Sequence, residues 1–202
     1  MSQIALPLAA GRPGPSRIVI GNANAAVIEA CATATAWPFR TALLIGPPRS
    51  GKSLIARWFA ESGAGEAIDD ADQMDETDLF HRWNRAQEQA APQLLISGNA
   101  AWKISLPDLA SRIGAALHME LGAPDDAMLA ELIAVQAEQR GLALGPDATA
   151  YLAARCERSH LGAEQLVAAI DRLSLERKAA PGMAIWRAAL DELYGPREPR
   201  LI

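Results

Sequence analysis

Eight consecutive residues, Gly46-Pro47-Pro48-Arg49-Ser50-Gly51-Lys52-Ser53, hold the densest chemistry in the chain. They satisfy the pattern GxxxxGK[ST] at every fixed position. Gly46 and Gly51 let the backbone curl so that successive N–H groups face an anion. A helix opening at this point adds the partial positive charge of its N-terminus. Lys52 can neutralise the outer phosphates of a nucleotide, and Ser53 Oγ is an oxygen ligand for Mg2+. Pro47, Pro48, Arg49 and Ser50 fill the free positions. The alternative is a plain Gly/Pro turn between strand and helix. The apolar run before the loop and the helical segment after it favour binding of ATP or ADP.

A second signal closes the next apolar run, at Ile68-Asp69-Asp70. Here one carboxylate, Asp69, would hold the magnesium ion, and the next, Asp70, would polarise an attacking water. Seven acidic residues and no basic one lie between Glu66 and Asp78. A solvated acidic loop is the competing explanation.

These groups need a sheet edge to stand on. Short apolar runs at Ala42–Ile45, Glu66–Asp69, Leu94–Ser97 and His118–Leu121 read as strands. Helical patterns at Ala23–Thr35, Ser53–Glu61, Thr77–Gln89 and Pro107–Ile113 separate them. Such alternation predicts a parallel sheet covered by helices. After Leu121 no further strand is evident. Four helices are expected there, at Asp125–Arg140, Pro146–Glu157, Leu161–Lys178 and Met183–Leu193. The chain thus reads as a breaker-rich tail (1–16), an α/β body (17–121) and a helical body (122–202).

Composition narrows the field. Of 202 residues, 50% are hydrophobic and 21% charged, which excludes a disordered or low-complexity chain. A net charge of -5 argues against a basic nucleic-acid wrapper. Cys31 and Cys156 make no disulfide framework and suit a reducing cytoplasm. No apolar run spans a bilayer, and the N-terminus is a poor signal peptide. Dispersed His81, His118 and His160 form no metal motif. Trp37, Trp58, Trp83, Trp102 and Trp186 read as packing residues.

Three more segments carry a resemblance. Gly21-Asn22-Ala23-Asn24-Ala25-Ala26 looks like the entry helix of the DnaA-type AAA+ ATPases. Leu79-Phe80-His81-Arg82-Trp83-Asn84 resembles their LFHxxN helix, and Asp108-Leu109-Ala110-Ser111-Arg112 their DLxSR segment. Within that group the chain resembles the Hda family, short DnaA homologues without a DNA-binding domain, in its alphaproteobacterial form. The order of all five motifs from Ser16 to Leu193 carries the likeness; the phosphate loop alone is generic.

The resemblance implies a fold: a truncated parallel sheet of about four strands, then an all-α lid. Only 16 residues separate Lys52 from Asp69, where a full AAA+ module holds a helix, an edge strand and another helix. It also implies partners. Gln3-Ile4-Ala5-Leu6-Pro7-Leu8 resembles the family's QLxLPL peptide for the DNA sliding clamp (the beta subunit of DNA polymerase III). In such docking Gln3 supplies an amide, Ile4, Leu6 and Leu8 supply apolar surface, and Pro7 limits the conformations lost. Arg112 corresponds to the family's arginine finger, here directed at ATP bound by DnaA. Asn99, with Ser97 as alternative, would sense the γ-phosphate. Leu161 falls where the family has a second sensing arginine, and Arg158 is one helical turn away. Hence ADP or ATP with Mg2+ is expected to act as a conformational cofactor without rapid turnover.

No helix-turn-helix can follow Leu193, so DNA is expected to be reached only through the clamp. A homodimer or higher oligomer with Arg112 facing a sister subunit stays open. The competing functions are a nucleotide-independent clamp adaptor and a stand-alone P-loop NTPase or small-molecule kinase.

Overall fold

The structure is a computed structural model that describes residues 17–98 and 101–195. The clamp motif at 3–8 and the sensor candidate Asn99 lie outside the described residues. The described chain divides into two compact units, one on each side of the Gly122–Ala123 bond.

The first unit runs α1 (Ala25–Ala32), β1 (Thr41–Ile45), α2 (Lys52–Glu61), β2 (Glu66–Ile68), α3 (Glu76–Glu88), β3 (Gln93–Ser97), α4 (Pro107–Gly114) and β4 (Leu117–Glu120). Its four strands form one parallel sheet in the order β2-β3-β1-β4. The fold class expected from sequence is therefore the observed one. Ile45 pairs with Ser97 and Glu120, so the C-terminal ends of β1, β3 and β4 lie side by side.

Both faces of the sheet are covered, which is why β1 and β3 read as unbroken apolar runs. Successive side chains alternate between the two faces. Ala42, Leu44, Leu94 and Ile96 join Val27, Trp37, Ile55 and Phe59 on one side. Leu43 and Leu95 join Ile68, Leu79, Leu109 and Ile113 on the other. Trp37 stacks on Phe59 with ring centroids 5.4 Å apart and donates its indole N–H to the Ala30 carbonyl at 2.9 Å.

Differences from the sequence reading have local causes. The expected helix Ala23–Thr35 stops at Ala32 and gives way to 3-10 turns at Ala34–Ala36 and Pro38–Arg40. The helix ends at its Thr33 cap, whose φ of -116° and ψ of 32° leave the helical region, and Trp37, held extended before Pro38, separates the two 3-10 turns. Strands β1 and β3 begin at Thr41 and Gln93, polar residues that an apolar reading leaves out. Both are fully buried, and each makes a side-chain hydrogen bond, although Gln93 Oε1 is left without one among the described residues. Thr41 Oγ donates to the Phe39 carbonyl at 3.0 Å, and Gln93 Nε2 to Glu66 Oε2 at 3.1 Å. β2 ends at Ile68, leaving Asp69 and Asp70 in the following turn. At Gly65 an added Cβ would sit 2.2 Å from the Pro92 carbonyl oxygen, so only glycine allows β2 to approach β3 there.

The second unit is helical: α5 (Asp126–Gln139), α6 (Pro146–Ala153), α7 (His160–Arg177) and α8 (Met183–Tyr194). Helix α6 ends four residues before the expected Glu157. Asp125 caps α5 by accepting from Met128 N at 2.8 Å, and Ser159 caps α7 by accepting from Gly162 N at 2.9 Å. Arg172 bridges Glu176 on its own helix and Glu192 on α8. No helix among the described residues is long and apolar enough to cross a membrane.

Candidate functional site

The loop between β1 and α2 takes the conformation its glycines permit. Gly51 has φ +92°, a value that strains any other residue, and hands the chain directly into α2 at Lys52. Arg49 also lies in the left-handed region at φ 60°. At Gly46 an added Cβ would meet Leu121 Cβ at 3.0 Å and Ser50 Oγ at 3.1 Å. The loop is thus closely seated on the chain leaving β4.

Lys52 curls beneath this loop. Its Nζ donates to the carbonyls of Gly46 at 2.8 Å and Pro47 at 2.7 Å. Partial burial lowers its pKa, against the opposing attraction of Asp69, Asp70 and Asp72. The ammonium therefore already sits in the field of the three carboxylates that follow β2. Ser53 is exposed on the first turn of α2.

Asp69 and Asp70 are exposed in the turn after β2. Asp70 is held at φ 50°, ψ 41°, and its N–H donates to Asp69 Oδ1 at 3.2 Å. Left-handed backbone at a non-glycine residue is a local cost that marks a turn worth testing. Asp72, which sequence reasoning passed over, accepts from Gly98 N at 3.4 Å and so ties this turn to the end of β3. Ser97 is fully buried on β3.

The donor set fits a magnesium nucleotide. Ser53 Oγ and the Asp69 carboxylate are hard oxygen donors, and Lys52 could supply a cation for phosphates. Among the described residues no group of three or more His, Cys, Asp or Glu could hold a metal by itself.

Arg112 stands on α4 and makes its contacts with α3. Its guanidinium carbon lies 4.3 Å from the ring centroids of both Phe80 and Trp83, and its NH1 donates to Asn84 Oδ1. Helix α4 is fixed against α3 at its start as well. The Glu76 carboxylate accepts from Ser105 N at 2.8 Å and Leu106 N at 2.6 Å. None of the described contacts of Arg112 is with the phosphate loop.

In the helical unit, Leu161 is half-buried in the first turn of α7. Arg158 is engaged elsewhere, 2.8 Å from Asp126 Oδ1. The grouping of Phe80, Trp83 and Asn84 around Arg112 was only half legible in the sequence. Their shared helix face follows from spacing, but the partner they face does not.

No protein-family model matches this chain, and no curated protein matches it. Solved structures do. Domain III of the Thermotoga maritima replication initiation protein DnaA superposes with a TM-score of 0.72 at 14% identity, covering 89% of this chain and 95% of that one. The Thermotoga maritima RuvB Holliday junction branch migration motor gives 0.62 at 19%, covering 85% and 68%. A replication initiator DnaA bound to AMPPCP and single-stranded DNA gives 0.60 at 16%, covering 80% and 66%. The architecture shared with these proteins is the AAA+ fold.

Proposed function

We propose that this chain is a nucleotide-binding regulator of the Hda type, which docks on the DNA sliding clamp and stimulates hydrolysis of ATP held by DnaA. The observation that carries this reading is Arg112. Its guanidinium is ordered by two aromatic rings and a neutral amide, and none of these contacts is with its own phosphate loop. A finger that completes a neighbour's site needs that arrangement. Supporting it are the loop Gly46–Ser53 with its left-handed Arg49 and Gly51, and the fold shared over nearly the whole of DnaA domain III.

Each residue then has a task. Ser50 N–H is taken by the Pro47 carbonyl at 3.3 Å, so the loop N–H groups nearest the N-terminus of α2, those of Gly51 and Lys52, are the ones offered to the phosphates. Lys52 exchanges its loop carbonyls for phosphate oxygens. Ser53 and Asp69 would hold Mg2+, which would screen phosphate charge, and Asp70 would polarise a water. Asn99 or Ser97 reads the γ-phosphate. With Leu161 in place of a second cation, the bound ADP or ATP sets conformation without rapid turnover. Residues 3–8 hold the clamp, and Arg112 reaches DnaA's ATP, where such a finger is worth about 10³–10⁵ in rate.

The deciding experiment follows DnaA-bound ATP converting to ADP with clamp loaded on DNA. The wild-type chain accelerates conversion, and Arg112→Ala abolishes the acceleration while leaving clamp binding intact. Retained acceleration by Arg112→Ala overturns the finger. A second reading, a clamp adaptor with a structural phosphate loop, draws on Lys52 already being satisfied by loop carbonyls. Full function of Lys52→Ala would favour it.

A further inference from the structure

We propose that Phe39 is a docking anchor, an exposed ring that seats in an apolar pocket of the protein whose ATP Arg112 reaches, taken above as DnaA. The inference rests on the reading of Arg112 as a finger. It goes beyond that reading by naming a second contact, one that supplies affinity where the finger supplies rate.

Exposure marks the residue first. Phe39, Leu175 and Met183 are the large apolar side chains that stand exposed among the described residues. Of these, Phe39 is the one in the α/β unit, with 55% of its surface open. A single exposed apolar residue is ordinary by itself. The backbone beneath this one is not. Phe39 lies at φ 48°, ψ 25°, and Arg40 follows at φ 49°. Left-handed backbone is unfavourable for a bulky residue and open to asparagine or glycine. Burial of the ring offsets little of that strain, because half of the ring is in water. A turn that served only to lead into β1 would be more stable with asparagine or glycine at position 39.

The turn is nonetheless fixed. Arg40 N donates to the Trp37 carbonyl at 2.9 Å. The Phe39 carbonyl accepts from Thr41 Oγ at 3.0 Å and from Gln87 Nε2 at 2.7 Å. Gln87 stands on α3, so a side chain 48 positions away holds the strained peptide against that helix. Strained backbone persists only where its surroundings over-determine it, and such places cluster at ligand clamps and functional contacts. A ring presented on a fixed backbone also loses less freedom on binding.

Position then says what the ring meets. Its centroid is 6.4 Å from that of Trp83, and the Arg112 guanidinium carbon is 4.3 Å from the Trp83 ring. Phe39 and Arg112 therefore stand no more than about 11 Å apart. A finger must come within hydrogen-bond distance of a phosphate held by its neighbour, which presses the surrounding surface against that neighbour. A stable interface covers about 800 Å² on each partner, a patch about 16 Å in radius. Phe39 falls inside such a patch centred on Arg112. Aromatic side chains near the middle of an interface are the ones that most often dominate affinity.

The test uses the full chain with DnaA–ATP and DNA-loaded clamp, and separates the half-saturating concentration from the maximal stimulated rate. Phe39→Asn raises the half-saturating concentration roughly ten- to thirtyfold, the effect of losing a hot spot, and reaches the wild-type maximal rate at saturation. Phe39→Tyr, which keeps the ring, behaves as the wild type. Asparagine suits left-handed backbone, so Phe39→Asn folds with a Tm equal to or above that of the wild type. A readout without activity completes the test. With 4-fluorophenylalanine at position 39, the 19F resonance shifts when DnaA–ATP and loaded clamp are added.

An unchanged half-saturating concentration in Phe39→Asn, beside an inactive Arg112→Ala, overturns the anchor and leaves the finger standing. An unshifted 19F resonance in a chain that still stimulates does the same. A raised concentration with a lowered Tm also overturns the anchor, since the ring would then serve the fold. Sedimentation tests a second copy of this chain as the occupant. A wild-type dimer that Phe39→Asn converts to monomer, with the half-saturating concentration for DnaA unchanged, assigns the ring to that contact and overturns the anchor. Wild-type stimulation by Arg112→Ala overturns the finger, and with it the place given to the ring.

Discussion

Lys52 sits at the residue scale between two sets of oxygen: the loop carbonyls it now holds and the phosphates it would take in their place. Replacing it with alanine removes the cation without touching the sheet. Lys52→Ala is expected to bind ADP and ATP at least a hundredfold more weakly by calorimetry, with an unchanged circular dichroism spectrum. His160 gives a second prediction at this scale. Burial lowers its pKa from the ordinary 6.5. The folded chain thus binds that proton less readily than the unfolded chain. Its contribution to stability is complete above about pH 6.5 and is lost as pH falls through the lowered folded value. Thermal unfolding followed from pH 7.5 to 5.5 should show a falling Tm, and His160→Gln should flatten that dependence. An equally steep dependence in His160→Gln would rule His160 out as its source. Cys31 is the opposite case: burial pushes its thiol up to about 12, so it is inert toward oxidants while the core is intact.

At the element scale, α3 does most to join the sheet to Arg112. Asp75 caps it by accepting from Thr77 N at 2.9 Å and Asp78 N at 3.1 Å. One residue later, Glu76 holds the entrance to α4. Asp75→Ala should cost about 1 kcal/mol in chemical denaturation, the usual worth of an N-cap. Phe59, fully buried on α2 and stacked on Trp37, carries a larger share of the core. Phe59→Ala should cost about 3–5 kcal/mol, measured the same way. Strand positions, helix order and the loop at Gly46–Ser53 were legible because burial on both faces writes an apolar run and a phosphate loop needs fixed glycines. The starts of β1 and β3 were not, because polar Thr41 and Gln93 interrupt the apolar pattern; the Phe39 carbonyl two residues back satisfies Thr41, and Glu66, 27 positions away, satisfies Gln93. The early end of α1 was missed because Ala-rich composition says helix, whereas the backbone leaves the helical region at Thr33.

At the scale of the whole molecule, the tail at residues 3–8, the phosphate loop and Arg112 are separate instruments of one proposed task. A peptide of residues 1–10 should bind the clamp, and Gln3→Ala with Leu6→Ala should abolish that binding in a direct assay. The same double variant in the full chain should lose clamp-dependent stimulation while keeping nucleotide affinity. The sequence alone determined the α/β-then-helical order, the four-strand parallel sheet and the GxxxxGK[ST] pattern of the loop between β1 and α2. All of these are set by local periodicity and by motifs whose residues are contiguous. Tertiary structure alone decided what surrounds Arg112. Asn84 is 28 positions away in the chain, and which face of α3 meets which face of α4 depends on how both helices pack on one sheet. Long-range packing of that kind writes no periodic signal, so the contacts of Arg112 with Phe80, Trp83 and Asn84 became visible only once the chain was folded.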